Sequence, residues 1–162
     1  MEMAIQRVKD FEVTGDGKAP AWAACPWHDM TRVGDGKAKY ATRVKIAYSD
    51  TGLYFLVACE DKKLTCRLTE DNTQLYTEDV VEVFIQPDTT QRTYLEYEIS
   101  PLGYELPIMV PNNGQSVFFG WLPWQYSGQR VIRHATTVQG GPKASMASCT
   151  GWRQNLPFRM PC

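Results

Sequence analysis

Three glutamates stand at alternating positions in two neighbouring strand-like stretches. Glu82 lies in Asp79-Val80-Val81-Glu82-Val83-Phe84-Ile85-Gln86, and Glu96 and Glu98 lie in Arg92-Thr93-Tyr94-Leu95-Glu96-Tyr97-Glu98-Ile99-Ser100. Side chains two apart on a strand share a face. If Val81, Val83, Ile85, Leu95, Tyr97 and Ile99 pack inward, then Glu82, Glu96 and Glu98 project together from the outer face, with Phe84 and Tyr94 among them. Carboxylates accept hydrogen bonds from hydroxyls and aromatic rings cover the apolar C–H face of a sugar, so this mixture suits a polyhydroxyl ligand. A solvated sheet face with incidental glutamates fits the same pattern. Rings concentrate again in Phe118-Phe119-Gly120-Trp121-Leu122-Pro123-Trp124-Gln125-Tyr126, where Gly120 and Pro123 interrupt any strand. Ligand stacking by Trp121 and Trp124 and plain core packing are both compatible with that segment.

Other chemistry finds little footing. The chain carries no GxSxG, HExxH, P-loop or GxGxxG pattern, so no catalytic residue is assigned. Glu82 and Glu98 form the one pair that would serve as acid and base in glycoside hydrolysis. The two histidines are His28 and His134, the latter inside Val131-Ile132-Arg133-His134, which reads as strand. Five cysteines (25, 59, 66, 149 and 162) show neither CxxC spacing nor a Cys–His pattern, so neither a zinc site nor a disulfide framework follows. Cys59, within an apolar run, reads as a reduced core residue.

The elements that must position these groups are strands. The period is two: in Thr42-Arg43-Val44-Lys45-Ile46-Ala47-Tyr48, Val44, Ile46 and Tyr48 share one face and Arg43 and Lys45 the other. Ser49-Asp50-Thr51-Gly52 then turns into a nearly continuous apolar run from Leu53 to Glu60, as a strand covered on both faces would. Pro87-Asp88-Thr89-Thr90 supplies the turn of a second hairpin. Further strands are expected at Tyr104–Val110, Gln115–Trp121 and Gln129–Val138, and one more opening at Thr150-Gly151-Trp152. Ala21-Trp22-Ala23-Ala24-Cys25-Pro26-Trp27-His28 reads as a segment closing a sheet edge, with Trp22 in the core and Trp27 open to either role. No helical period runs over four turns. Short strands between Gly, Pro, Asn and Asp imply one all-β domain, an antiparallel sandwich or barrel.

A chain of 162 residues is one domain's length and can bury a core of its own. With 17 Lys+Arg against 18 Asp+Glu, the net charge of -1 offers no field for nucleic acid or an acidic membrane surface. No stretch approaches the ~20 apolar residues of a membrane span. The opening Met1-Glu2-Met3-Ala4-Ile5-Gln6-Arg7 lacks the apolar segment of a signal peptide.

Several of these stretches resemble family 9 carbohydrate-binding modules. Asp10-Phe11-Glu12-Val13-Thr14-Gly15-Asp16-Gly17 followed by Trp22 is similar to the family's "DG…W" entry. Thr42 to Tyr48, Leu53-Tyr54-Phe55 and Glu60-Asp61 match its next strands. Tyr76-Thr77-Glu78-Asp79-Val80-Val81-Glu82-Val83-Phe84-Ile85-Gln86-Pro87 resembles its "W-x-x-D-x-V-E-(I/V)-F-(I/L)-x-P" pattern, the most specific match. The resemblance spans residues 10 to 152. It implies a jelly-roll or immunoglobulin-like β-sandwich that binds oligo- or polysaccharide without catalysis, associated with xylan-type glycan hydrolases and with secreted or envelope proteins. It places Tyr76 at the position of a sugar-stacking Trp and Glu82 at the hydroxyl-binding glutamate. Glu98 stands where those members use an Arg. Structural calcium also occurs in the family, which makes Asp16, Asp61 and Asp79 the acids of interest. Related cytochrome-type sandwiches hold haem, for which His134, Met109 and Met146 are the available ligand types.

The C-terminal end departs from the family. Members continue after "GW" with a "(V/A)-E-x-x-I-P-(W/F/Y)" strand, whereas this chain reads Arg153-Gln154-Asn155-Leu156-Pro157-Phe158-Arg159-Met160-Pro161-Cys162. Codons for Gln154 to Cys162, read one base out of frame, can encode Ala-Glu-Phe-Thr-Phe-Pro-Tyr-Ala-Leu, close to the missing strand. The expectation is a frameshifted or truncated gene, a sandwich incomplete at its C-terminal end and an atypical tail over 153–162.

Overall fold

A computed structural model describes residues 3–115, 120, 122–123 and 132–159. The expected hairpins are present: β3 (Thr42–Tyr48) with β4 (Gly52–Glu60), and β5 (Val81–Ile85) with β6 (Tyr94–Ile99). Around them lie β1 (Gln6–Arg7), β2 (His28–Asp29), β7 (Glu105–Val110), β8 (Leu122–Pro123), β9 (Ala135–Gln139) and β10 (Gly151–Arg159). Single 3₁₀ turns occur at Pro20–Ala24 and Leu75–Thr77. The strands form a six-stranded sheet, β1-β3-β4-β10-β9 with β2 also on β3, and a four-stranded sheet, β5-β6-β7-β8. Pairing is antiparallel except between β1 and β3.

The sheets meet through one apolar layer. Val57, Trp152, Leu156 and Phe158 from the large sheet pack with Val81, Val83, Tyr97 and Ile99 from the small one. Phe158 sits edge-on to both Phe55 and Tyr97, at centroid distances of 6.1 and 5.5 Å. This is the β-sandwich that the period of two implies. The outer face of the large sheet is covered by the N-terminal segment. Trp22 and Cys25 bury against Ala47, Tyr54 and Leu56, and Phe11 stacks on Tyr54 at 4.5 Å. Trp22 is thus core, as expected. Trp27 is half-buried beneath the Arg43 and Lys45 cations, 4.5 and 5.1 Å from its ring.

The Gly15-Asp16 turn docks on the same outer face, over β9 and β10. Thr137 Oγ1 donates to the Gly15 carbonyl and Arg153 Nη1 to the Asp16 carbonyl. Gly15 adopts φ +77°, and a Cβ there would come within 2.7 Å of the Ala135 carbonyl carbon, so glycine is required on both counts.

Three expectations shift. In the span Gln129–Val138, residues 129–131 lie outside the described residues, 132–134 are not strand, with His134 bonded to Tyr97 and Gly103, and β9 runs Ala135–Gln139. In the span Gln115–Trp121, Gln115 and Gly120 are not strand, and residues 116–119 and 121 lie outside the described residues. Residues 153–159 of the family-atypical tail expected over 153–162 run on as the rest of β10, paired with β4 throughout and with β9 as far as Asn155, while 160–162 lie outside the described residues. Backbone hydrogen bonds on both sides override an unfavourable sequence there. Gln154 sits opposite Val57, on the same face as Trp152 and Leu156, and Asn155 sits opposite Leu56 on the other face. Both are fully buried, and their amide groups have no hydrogen-bond partner among the described residues.

A buried amide without a partner costs about 1–3 kcal/mol. Gln154→Leu, close in volume and suited to its apolar neighbours, is therefore expected to raise the unfolding free energy by that order. Urea denaturation with an unchanged slope checks it; a lower midpoint would show that Gln154 has a partner worth more than the burial penalty.

Candidate functional site

The β5–β6 register sets the site. Glu82 pairs with Glu98 and Phe84 with Glu96, while Val81, Val83, Tyr97 and Ile99 turn into the sandwich. The alternate positions therefore gather on the outer face, and Glu82, Glu96 and Glu98 each offer a carboxylate oxygen within 4.8 Å of the others. Phe84 is 57% exposed, and its ring lies 5.9 Å from that of half-buried Tyr94. The outer-face grouping expected from the pattern is what the structure shows.

The segment before β5 covers part of this face. Leu75 is buried against Leu106, Ile108 and Val110, with Leu68 and Val80 packed alongside. That packing holds the Leu75–Thr77 turn near β6 and leaves Tyr76 39% exposed at the rim. The cover changes the reading of Glu98. It is not the open sugar-facing acid that alternation alone suggests but is fully buried, while Glu82 and Glu96 are half-buried. Trp121 and Trp124 lie outside the described residues, as do Phe118, Phe119 and Tyr126.

The electrostatics follow from crowding. Burial raises the Glu98 carboxyl first, the Glu82 and Glu96 charges add to it, and the Tyr76 backbone N–H opposes them. The result is a group pushed up to about 8. Neither Glu98 oxygen has a partner at hydrogen-bond distance among the described residues. Glu82 is raised by burial alone, and Glu96 by burial and then by the Glu82 charge. Among the described residues, no Lys or Arg acts on any of the three.

Two acids of the Glu78-Asp79 sequence brace the approach to β5. Glu78 accepts the Arg67 and Leu68 backbone N–H groups and pairs with Arg67 Nε at 2.7 Å. Asp79 accepts the Thr65 N–H at 2.5 Å and lies beside Asp61. Asp16 is elsewhere, bound to Thr14 and Lys18. Asp61 takes the Lys62 and Lys63 N–H groups, and no third acid joins it and Asp79 within ligand distance among the described residues. Asp61 and Asp79 thus lie together, with Asp16 apart from them. For haem, His134 has both ring nitrogens engaged, Nδ1 with Tyr97 Oη at 2.8 Å and Nε2 with the Gly103 carbonyl at 2.9 Å, and Met146 stands exposed in a turn.

Glutamates beside exposed rings on a sandwich face are features of a glycan-binding surface, and comparison with known proteins bears on that directly. The carbohydrate family 9 binding domain-like family matches residues 13–117, a stretch holding the whole glutamate cluster, Tyr76 and Phe84. The chain belongs to this family. No curated protein matches it. Among solved structures, a protein from Bacteroides uniformis described as carbohydrate-binding superposes with a TM-score of 0.71 at 12% identity, over 98% of this chain and 72% of its own. A family 9 carbohydrate-binding module from Caldicellulosiruptor kristjanssonii in complex with cellotriose gives 0.64 at 14% identity, over 98% and 67%. A family 9 module from the same organism in complex with glucose gives 0.61 at 15%, over 98% and 70%. At these identities the likeness is one of fold.

Within the family's D-x-V-E stretch, Asp79 carries a pH signature. Burial, and then Asp61 and Glu78 against the opposing Thr65 N–H, push its carboxyl up to about 6. An unfolded Asp titrates near ~3.9, so between about pH 4 and 6 the folded chain holds more protons than the unfolded one, and this residue's contribution to stability falls as pH rises. Asp79→Asn, which keeps an acceptor for Thr65, is expected to gain stability relative to the original chain across that window and to plateau above it. Chemical denaturation at a series of pH values reads this out, and parallel profiles would contradict it.

Proposed function

We propose that this domain binds oligo- or polysaccharide without turning it over, working beside a glycan hydrolase of the xylan-degrading type. The observation that carries the reading is the juxtaposition of exposed Tyr76 and Phe84 with the half-buried Glu82 and Glu96 on one sheet face. In this reading a sugar ring lies against Tyr76 or Phe84, burying C–H surface, while its hydroxyls donate to the Glu82 carboxylate. Membership of the family and the saccharides named for its solved members support it. Glycoside hydrolysis is the rival. The Glu82 and Glu98 carboxylates lie close enough to suggest an acid–base pair, but Glu98 is sealed from solvent and a reacting glycosidic bond needs access to both groups.

Calorimetric titration with xylo- and cello-oligosaccharides and a monosaccharide panel tests the proposal. Saturable binding is expected. Tyr76→Ala and Glu82→Ala should each weaken it by about tenfold, the scale of a lost stacking contact or charge-assisted hydrogen bond. A folded chain that binds none of these sugars, or binds them equally well after both substitutions, overturns it. Sugar release abolished in Glu82→Gln with binding retained would replace it with the hydrolase reading.

A further inference from the structure

We propose that Glu82, Glu96 and Glu98 hold a calcium ion at the base of the β5–β6 face, with sugar hydroxyls completing its shell. The coordination rests on the geometry of the three side chains; the role of the hydroxyls rests on the saccharide reading above.

Two separate observations point to a cation. The first is the arrangement: three carboxylates from two adjacent strands bring one oxygen each within 4.8 Å of the others. Calcium–oxygen bonds of about 2.3–2.6 Å place oxygens on opposite sides of the ion about 5 Å apart, so one calcium reaches all three, and an all-carboxylate set selects a hard cation over zinc or copper. The second is Glu98 itself. It is fully buried, its carboxylate is aimed at Glu82 and Glu96, and neither of its oxygens has a hydrogen-bond partner among the described residues. A buried carboxyl of this kind takes up a proton or is met by a donor or a cation. Among the described residues no Lys or Arg is paired with Glu98, the ion pairs there being Arg7–Asp50, Lys18–Asp16, Arg67–Glu78 and His134–Glu105, and the Tyr76 backbone N–H acts on it without reaching hydrogen-bond geometry.

The access is also graded. Glu98 forms the closed floor, whereas Glu82 and Glu96 are half-buried and leave one side open toward Phe84 and Tyr76. Calcium takes about six to eight oxygens, so three side chains leave positions for water or for two adjacent hydroxyls of a sugar. A ring stacked on Tyr76 or Phe84 would turn such a hydroxyl pair toward the ion.

The test uses the full chain stripped of metal by chelation. Calorimetry with calcium chloride alone, with magnesium and zinc chlorides for comparison, is expected to show one saturable calcium site. Affinity should fall about tenfold or more in Glu98→Gln, and likewise in Glu96→Gln, a half-buried position whose variant keeps the reading falsifiable if Glu98→Gln does not fold. No calcium binding by the original chain, or undiminished binding in the folded variants, overturns the site. Calcium binding lost in Asp61→Asn but kept in both glutamate variants overturns it too, by placing the ion elsewhere. Saccharide titration in calcium and in EDTA then separates the two readings. Equal affinity in both overturns the bridging role, whereas saccharide binding absent under both conditions, with calcium still bound by the glutamates, overturns the saccharide reading and leaves the site standing.

Discussion

Burial of Val81, Val83, Tyr97 and Ile99 against Trp152, Leu156 and Phe158 sets the orientation of the small sheet, and with it the direction of every other side chain on β5 and β6. A strand offers only two directions. Once these residues face the large sheet, Glu82, Phe84, Glu96 and Glu98 must face away, whatever the electrostatic cost of placing three carboxylates together. Apolar burial of several large side chains stabilises by more than the mutual repulsion of partly solvated glutamates destabilises, since protonation relieves part of that repulsion. The site is thus a consequence of the core.

The same core tolerates polar residues where backbone pairing holds them. β10 is hydrogen-bonded on both sides, so its chain path is set by its neighbours rather than by the side chains of Gln154 and Asn155. Their buried amides are a local conflict between sequence and fold, and such conflicts are uncommon in chains whose local and global preferences agree. They fall in the segment where the sequence departs from the family pattern. Nothing comparable occurs on β4, where Tyr54, Leu56 and Val57 fill both faces with apolar surface or with a tyrosine whose hydroxyl reaches Asp10.

The buried Glu98 differs in kind from these amides. Gln154 and Asn155 are neutral and lie among apolar groups, whereas Glu98 lies against two further carboxylates and beside a rim of exposed rings. A cluster of acids without a cation is strained in the folded state, and strain of that sort gathers where a ligand relieves it. Phe84 lies beside that cluster, 57% exposed, with its ring 5.9 Å from that of Tyr94.

Much of this was legible in the residues. Alternation in Thr42–Tyr48, Val81–Ile85 and Tyr94–Ile99 determined the strands, the hairpins and the shared face of the three glutamates, because the two-residue period of a strand is a local property of the chain. The family pattern singled out Tyr76 and Glu82, which the structure places at the rim and on the outer face of β5. What the sequence could not convey was depth. The turn at Leu75–Thr77 is three residues long, and its role as a cover comes from Leu75 reaching Leu106, Ile108 and Val110, some thirty positions away. Only that long-range contact buries Glu98 while leaving Glu82 and Glu96 half-open. The place of β10 is of the same kind: Gln154 and Asn155 read as tail residues until β4 and β9 pair with them. The sequence by itself determined which side chains share a face, since that depends on neighbours two residues apart. Tertiary structure alone decided which of them meet water, since burial depends on what the rest of the chain lays over them.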